Sequence, residues 1–286
     1  MRLFLMLGAL LGLAGCSGQA LVNALTPRWG YDRHADIAYG DDPRQQLDVY
    51  VPHDKAAGAP VVVFFYGGSW QFGDKNGYRF VGQALASRGF IAVLPDYRLY
   101  PPTRFPGFVQ DGAKAVAWAQ SHAADYGGNA SLLFVSGHSA GAHIAAMLAT
   151  DSHYLAAAGS SIDDLSGFIG LSGPYDFLPI KDPALQTIFA PRAAWPRTQP
   201  IHFVSGDEPP MLLMHGDADE TVYPKNSRNM ARKVNASGGS AVLKIYPGVG
   251  HIGMIAPLAA PLRFYGSQLD DFAAFINEAS SADSRR

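Results

Sequence analysis

Leu132-Leu133-Phe134-Val135-Ser136-Gly137-His138-Ser139-Ala140-Gly141 is the stretch that decides the fold. An apolar run ends in Gly-His-Ser-Ala-Gly, and Ala142 to Thr150 follows with a helix-like composition. Strand, tight turn and helix in that order place Ser139 on a strained elbow that pushes its hydroxyl outward and leaves the Ala140 amide at a helix N-terminus. Glycines on both sides remove the clashes such a turn creates. With 31 Gly among 286 residues, the pentapeptide alone carries little weight, and the surrounding pattern has to support it.

Working outward, Val61-Val62-Val63-Phe64-Phe65 is an unbroken β-branched and aromatic run, as expected of a strand buried on both faces of a parallel sheet. Similar runs stand at Phe90 to Leu94, Phe168 to Leu171, Met211 to His215 and Ala241 to Tyr246. Asp36 to Tyr39 reads as an opening strand and Gln46 to Val51, which alternates, as an edge strand. Helix-period stretches lie between them: Val109, Ala113, Val116 and Ala117 share one face, while Met230 with Val234 and Phe272 with Phe275 and Ile276 mark others. The alternation predicts an α/β fold with a mostly parallel, doubly wound sheet and helices on both faces. Gly173 to Pro210 breaks the rhythm with eight prolines among Phe177, Phe189, Trp195 and Phe203, and reads as a small cap or pocket wall at residues 173–210.

A composition of 48% hydrophobic and 16% charged residues supports one sizeable core. The balance of 22 basic against 24 acidic residues, without a Lys/Arg cluster, leaves no field for nucleic acid. One Cys and nine His without His-x-x-x-His spacing offer no metal framework, so neither metal nor cofactor is expected.

The single cysteine is explained by address. Arg2 and the apolar run Leu3 to Leu13 read as a signal peptide over residues 1–15, too short to span a membrane. Leu13-Ala14-Gly15-Cys16 resembles the lipobox of bacterial lipoproteins. That resemblance implies cleavage before Cys16, lipid on its sulfur and new N-terminus, and stable membrane anchoring. Ser17 resembles the outer-membrane pattern, so the expected address is the bacterial cell envelope, on the outer membrane facing the periplasm. Residues 16–35 read as a tether, 36–279 as the folded domain and 280–286 as a polar tail.

A serine hydroxyl needs a base within reach and a group that orients the base. His215-Gly216-Asp217-Ala218-Asp219 follows the Met211 strand and Gly248-Val249-Gly250-His251 follows the Ala241 strand. Both therefore sit at carboxyl ends of strands, on the edge of the sheet that carries Ser139. The base is His251, and the acid is Asp217 or Asp219, in the chain order Ser, Asp, His. His138, His143 and His215 read as packing residues, Asp96 and Arg98 as a structural charge pair, and Asp111 as a brace on its helix. In Tyr66-Gly67-Gly68-Ser69-Trp70, two glycines let backbone approach a substrate carbonyl, so the Gly68 and Ser69 amides would join that of Ala140 in an oxyanion hole. Trp70 and Tyr66 are candidate pocket residues, Tyr66 with a hydroxyl to lend.

The block Gly67-Gly68-x-Trp70-x-x-Gly73-Asp74-Lys75, then Asp96-Tyr97-Arg98-Leu99, Phe105-Pro106, the Ser139 elbow, Gly173-Pro174-Tyr175-Asp176, His215-Gly216-x-x-Asp219-x-x-Val222 and Gly250-His251 together carry a family resemblance. Over residues 45–277 the chain resembles α/β-hydrolase esterases of the hormone-sensitive-lipase and carboxylesterase type, including the branch close to bacterial feruloyl and acetyl-xylan esterases. The resemblance implies an α/β-hydrolase fold and a carboxylesterase that cleaves small or short-acyl esters through an acyl-enzyme, with Ser139 as nucleophile, Asp219 as orienter and His251 as base. It departs at the oxyanion loop, where the family carries His-Gly-Gly-Gly or His-Gly-Gly-Tyr and this chain has Tyr66 first and Ser69 last. Two other readings fit the same residues: an amide hydrolase of the arylformamidase type, and an inactive hydrolase-like binding protein. Oligomeric state is not legible in the sequence.

Overall fold

In the computed structural model, which describes residues 18–283, the apolar runs assemble into a single eight-stranded sheet. Residues 1–15 and Cys16, with the expectations attached to them, lie outside the described residues. A helical stretch at residues 18–24 leads into β1 (Tyr31–Ala38), β2 (Gln46–Pro52), β3 (Ala59–Phe65), α1 (Arg79–Ala86), β4 (Ile91–Pro95), α2 (Gly107–His122), β5 (Gly128–His138) and α3 (Ala140–Thr150). There follow α4 (Ser152–Ala157), β6 (Leu165–Leu171), α5 (Pro183–Ile188), β7 (Met211–Gly216), α6 (Lys225–Ala236), β8 (Ala241–Tyr246), α7 (His251–Ile255) and α8 (Gln268–Asp283). The strand order is β1-β2-β4-β3-β5-β6-β7-β8. β1 pairs antiparallel with β2 and β2 with β4, and the remaining neighbours are parallel.

The chain runs from β3 outward to β4, then crosses back to β5 on the other side of β3. Strand order therefore reverses between β3 and β5, and their carboxyl ends flank the crevice where open α/β sheets bind ligands. The loop at residues 66–70 leaves β3 there and the Ser139 elbow leaves β5.

Unbroken apolar runs follow from burial on both faces. In β3, Val61, Val63 and Phe65 join the core that includes Val109, Val116 and Ile144, while Val62 and Phe64 join the core that includes Val81, Leu85 and Phe272. Every residue of α3 is buried, which is why this helix is rich in alanine and has no charged face.

Three boundaries differ from the sequence expectation. β2 is not an edge strand: it lies between β1 and β4. The polar residue that gives it an alternating look, Asp48, is itself buried, held by Lys75 Nζ at 2.9 Å and Arg33 Nη2 at 2.6 Å. The Lys75 side chain is only 2% exposed. Burial alone would pull its ammonium pKa down, but the hydrogen bonds it donates to Asp36 and Asp48 raise it above the ordinary lysine value. The domain also begins before residue 36, because β1 starts at Tyr31 and residues 18–24 dock on the body instead of forming a loose tether. At the other end, α8 continues to Asp283, so Ser280 to Asp283 are helical rather than frayed.

Removing one partner of a buried ion pair leaves an uncompensated charge. Asp48→Ala is expected to destabilise the protein by about 3–5 kcal/mol, measured by urea unfolding.

Candidate functional site

The elbow is built by backbones that touch. A Cβ on Gly137 would overlap the Gly141 backbone, and a Cβ on Gly141 would overlap the Phe65 carbonyl oxygen. The end of β5 can therefore turn directly into α3 against the end of β3. Ser139 sits in the turn at φ 55°, ψ −122°, a conformation that L-residues adopt only under constraint. Its amide donates to the Leu171 carbonyl at 3.0 Å and its carbonyl accepts from the His143 amide at 3.1 Å. These bonds fix the backbone while the hydroxyl faces the cleft.

Facing the elbow, residues 66–70 make an equally constrained turn. Gly68 has φ +138°, with no room for a Cβ beside the Phe72 carbonyl, and Ser69 and Trp70 have φ of 52° and 59°. Gly67 lies so close to the elbow that a Cβ there would stand 3.1 Å from that of Ser139. Among the described residues the Gly68 and Ser69 amides donate to no protein acceptor, and Ala140 opens α3, where amides lack an intrahelical partner. Ser69, Ser139 and Ala140 line the same cleft.

Tyr66 does not. It is fully buried, stacked on Tyr97 at 4.7 Å and Tyr78 at 5.4 Å between ring centroids, and its hydroxyl accepts from Arg44 Nη2 at 2.7 Å. The expectation of a pocket tyrosine with a hydroxyl to lend is corrected: Tyr66 supports the loop from behind, and Tyr97 Oη donates to the Tyr66 carbonyl at 2.8 Å. Trp70 both lines the cleft and packs edge-on against His143 and Phe189, at 5.1 and 4.8 Å.

Asp219 lies on the loop after β7, and its side chain is fully buried. Oδ1 accepts from the amides of Thr221 at 3.0 Å and Val222 at 2.9 Å, and Oδ2 is 2.8 Å from His251 Nδ1. A carboxylate only accepts, so His251 Nδ1 carries the proton of this bond, which leaves Nε2 as the ring nitrogen turned away from Asp219. Burial works against the Asp219 charge, but hydrogen bonds from His215, His251 and Val222 outweigh it and hold the carboxyl far below its usual range. Asp217 is turned elsewhere and accepts from the Gly248 amide at 2.7 Å.

His251 begins α7 beside the elbow: His138 Nε2 donates to the His251 carbonyl at 3.1 Å, and the two rings lie 4.7 Å apart. Among the described residues no hydrogen bond joins the Ser139 hydroxyl to the His251 ring, a link that often tightens only with substrate bound.

Sequence reasoning missed the surroundings of Asp219. His215 is not simply a packing residue: Nε2 donates to the Val222 carbonyl at 2.7 Å and lies 3.3 Å from Asp219 Oδ2, while Nδ1 accepts from Ser227 Oγ at 2.7 Å. The signal was present in the spacing, since His215 stands four residues before Asp219 in the same block. Asn226 was missed as well: its Oδ1 accepts from the amides of Tyr175 and Asp176 at 3.0 and 2.8 Å, tying the proline-rich segment to α6. Asp96 and Arg98 do not pair with each other. Arg98 makes a forked contact with Asp111, with Nη2 2.7 Å from Oδ1 and Nε 2.9 Å from Oδ2, because the fully buried Asp111 carboxylate requires a charge partner. Asp96 accepts from the Lys75 amide at 2.7 Å.

The cleft has a volume of about 550 Å³ and runs from Ser69, Trp70 and Ser139 to a far wall of Phe177, Leu178, Ile180 and Leu185. The proline-rich segment therefore closes one side. A family model described as BD-FAE matches residues 47–234, a span holding the Ser139 elbow, the 66–70 loop and Asp219. The chain belongs to the BD-FAE family.

Curated relatives of this BD-FAE member include a probable isoprenylcysteine alpha-carbonyl methylesterase of Arabidopsis thaliana, 29% identical over 255 residues, covering 79% of this chain and 52% of the relative. The esterase LipC of Mycobacterium tuberculosis is 31% identical over 242 residues, covering 77% and 60%. The chain thus spans between half and two thirds of these relatives' lengths. Among solved structures, a truncated carbohydrate esterase from gut microbiota superposes with TM-score 0.78 at 22% identity, covering 90% of this chain and 99% of that one. Esterase B of Lactobacillus rhamnosis superposes with TM-score 0.82 at 19% identity, covering 100% and 99%. At such identities the likeness establishes the fold, which is that of the α/β-hydrolases.

Two buried histidines next to the site couple stability to pH. Burial lowers the His143 pKa to about 4, although Nε2 donates to the Thr198 carbonyl at 2.8 Å. Burial and the neighbouring His251 lower that of His138 to about 3. Below the ordinary value of 6.5 the unfolded chain takes up protons that these rings refuse until about pH 4 and 3, so acid favours unfolding in that window. Unfolding free energy is expected to fall between pH 6.5 and 4. His143→Gln should lessen the slope by about 1.4 kcal/mol per pH unit in denaturant titrations at stepped pH.

Proposed function

We propose that this protein is a carboxylic ester hydrolase working through a Ser139–His251–Asp219 triad. The observation that carries the reading is the 2.8 Å bond from His251 Nδ1 to a buried, fully hydrogen-bonded Asp219, beside a serine elbow faced by unpaired amides. The esterase names borne by the curated relatives support the same chemistry.

In the proposed reaction Ser139 Oγ forms a bond to the ester carbonyl carbon while His251 Nε2 takes the hydroxyl proton. Negative charge moves to the carbonyl oxygen, which accepts from the Ala140, Gly68 and Ser69 amides, each such donor being worth about 3 kcal/mol in the transition state. The C–O bond to the alcohol then breaks and the leaving oxygen takes the proton from Nε2, leaving Ser139 acylated. Water, deprotonated by the same nitrogen, bonds to the acyl carbon; the bond from that carbon to Ser139 Oγ then breaks, Oγ takes the proton back from Nε2, and the acid leaves. Asp219 stays ionised throughout and stabilises the imidazolium.

A short acyl group fits the side walled by the tightly packed Trp70, and the rest of the 550 Å³ cleft accepts the larger alcohol. The lipobox-like sequence at Cys16 supports a lipid-anchored envelope protein facing the periplasm.

With p-nitrophenyl acetate as substrate, Ser139→Ala and Asp219→Asn are each expected to lower kcat by about 10⁴-fold or more with the fold intact. Undiminished turnover by Ser139→Ala contradicts the nucleophile assignment. For the anchor, cells fed labelled palmitate should incorporate label into the wild type and not into Cys16→Ser.

A further inference from the structure

The helical stretch at residues 18–24 is mounted with its polar side inward. Gln19 Nε2 donates to the Gly77 carbonyl at 2.9 Å, and Asn23 Nδ2 donates to the same carbonyl at 2.7 Å and to that of Asn76 at 3.0 Å. Asn23 Oδ1 accepts from the Phe80 amide at 3.2 Å. Val22 packs against the core that includes Phe80, and the buried Thr26 Oγ1 donates to the Val22 carbonyl at 2.9 Å. Positions 19, 22 and 23 thus form the docked face of the helical stretch, with Thr26 buried just beyond its end.

The outward side carries Leu21, Leu25 and Trp29, which are 61%, 57% and 76% exposed. Leu21 stands in the helical stretch, Leu25 in the turn that ends it and Trp29 in the irregular segment just beyond, so three large apolar side chains in nine residues are left in solvent along one docked segment. Residues 18–31 contain a single charged side chain, the exposed Arg28, and no acidic one. Cys16, where the lipobox-like sequence puts the lipid, stands five residues before Leu21. Because the stretch is hydrogen-bonded to the body, an anchor at that point brings these side chains to the bilayer surface.

We propose that Leu21, Leu25 and Trp29 seat the protein on a phospholipid bilayer, inserting at the headgroup level and fixing the orientation of the domain. Trp and a flanking basic residue suit that interface. The Lys75–Tyr78 turn that carries the docked face follows directly on the 66–74 loop at the cleft, and Phe72 on that loop is 68% exposed. The seat therefore also sets how the cleft stands relative to lipid. The location rests on the lipid-anchor reading; the seat is tested separately from it.

The acylated protein, purified in detergent, is reconstituted into phosphatidylcholine–phosphatidylglycerol vesicles with and without brominated acyl chains. The Trp29 signal is taken as the difference between wild type and Trp29→Phe. Quenching of Trp29 by brominated lipid in the wild type, and its loss in Leu21→Ser/Leu25→Ser with ester turnover unchanged, is the expected result. Vesicle-bound protein whose Trp29 emission ignores the bromines overturns the seat and leaves the anchor standing. Protection of these side chains without lipid, in a concentration-dependent dimer that the double variant abolishes, also overturns it, since a second copy is then the occupant. Failure of palmitate incorporation at Cys16 counts against the anchor alone, because quenching by added vesicles still reads the seat.

Discussion

A Cβ at Gly141 would overlap the Phe65 carbonyl oxygen, and one at Gly137 would overlap the Gly141 backbone, so α3 approaches the ends of β3 and β5 at a distance that only glycine permits. Everything at the site depends on that approach. It forces Ser139 into its strained turn, brings the Gly67 backbone against the elbow and aligns the N-terminus of α3 with the loop at residues 66–70. The strain is held by neighbours rather than relieved, through the Leu171 carbonyl on one side and the His143 amide on the other. The sheet contributes the rest by reversing its strand order between β3 and β5.

Around this frame the charges are sorted by burial. Asp219 is fully enclosed yet ionised, because two amides and two histidines face its oxygens. His143 and His138 are enclosed without an anion at hydrogen-bonding distance and stay neutral. A neutral ring under the elbow and a charged acid behind His251 suit the proposed proton transfer between Ser139 and His251 Nε2. The support shell is aromatic and polar in turn: Tyr97 and Tyr78 stack on Tyr66 at the start of the 66–70 loop, and Arg44 joins the Tyr66 hydroxyl to the Gly73 carbonyl, to which it donates at 3.0 Å.

The parallel strands were legible because burial on both faces writes an unbroken apolar run, and the elbow, Asp219 and His251 because each belongs to a short local block at a strand end. β2 was misplaced because its one interior charge, Asp48, is paired by Lys75 and Arg33, partners remote in sequence. The same reason hid the true partner of Arg98, which is Asp111 on α2 rather than Asp96 two residues away. Tyr66 looked like a pocket residue from its place in the oxyanion block, but side-chain direction at a strand end is set by what stacks there, here Tyr97 and Tyr78. Residues 16–35 read as a tether since they lack a strand pattern; the bonds of Gln19 and Asn23 to backbone carbonyls that dock them leave no trace in hydrophobic periodicity.

On the proposed mechanism the strained elbow makes Ser139 the activated hydroxyl among the described residues. Peptide mass mapping after reaction with a fluorophosphonate tests it most directly. A single adduct is expected on the peptide containing Ser139, formed by the folded protein and absent when the protein is unfolded before reaction. An adduct on another residue, or none in folded protein, contradicts it.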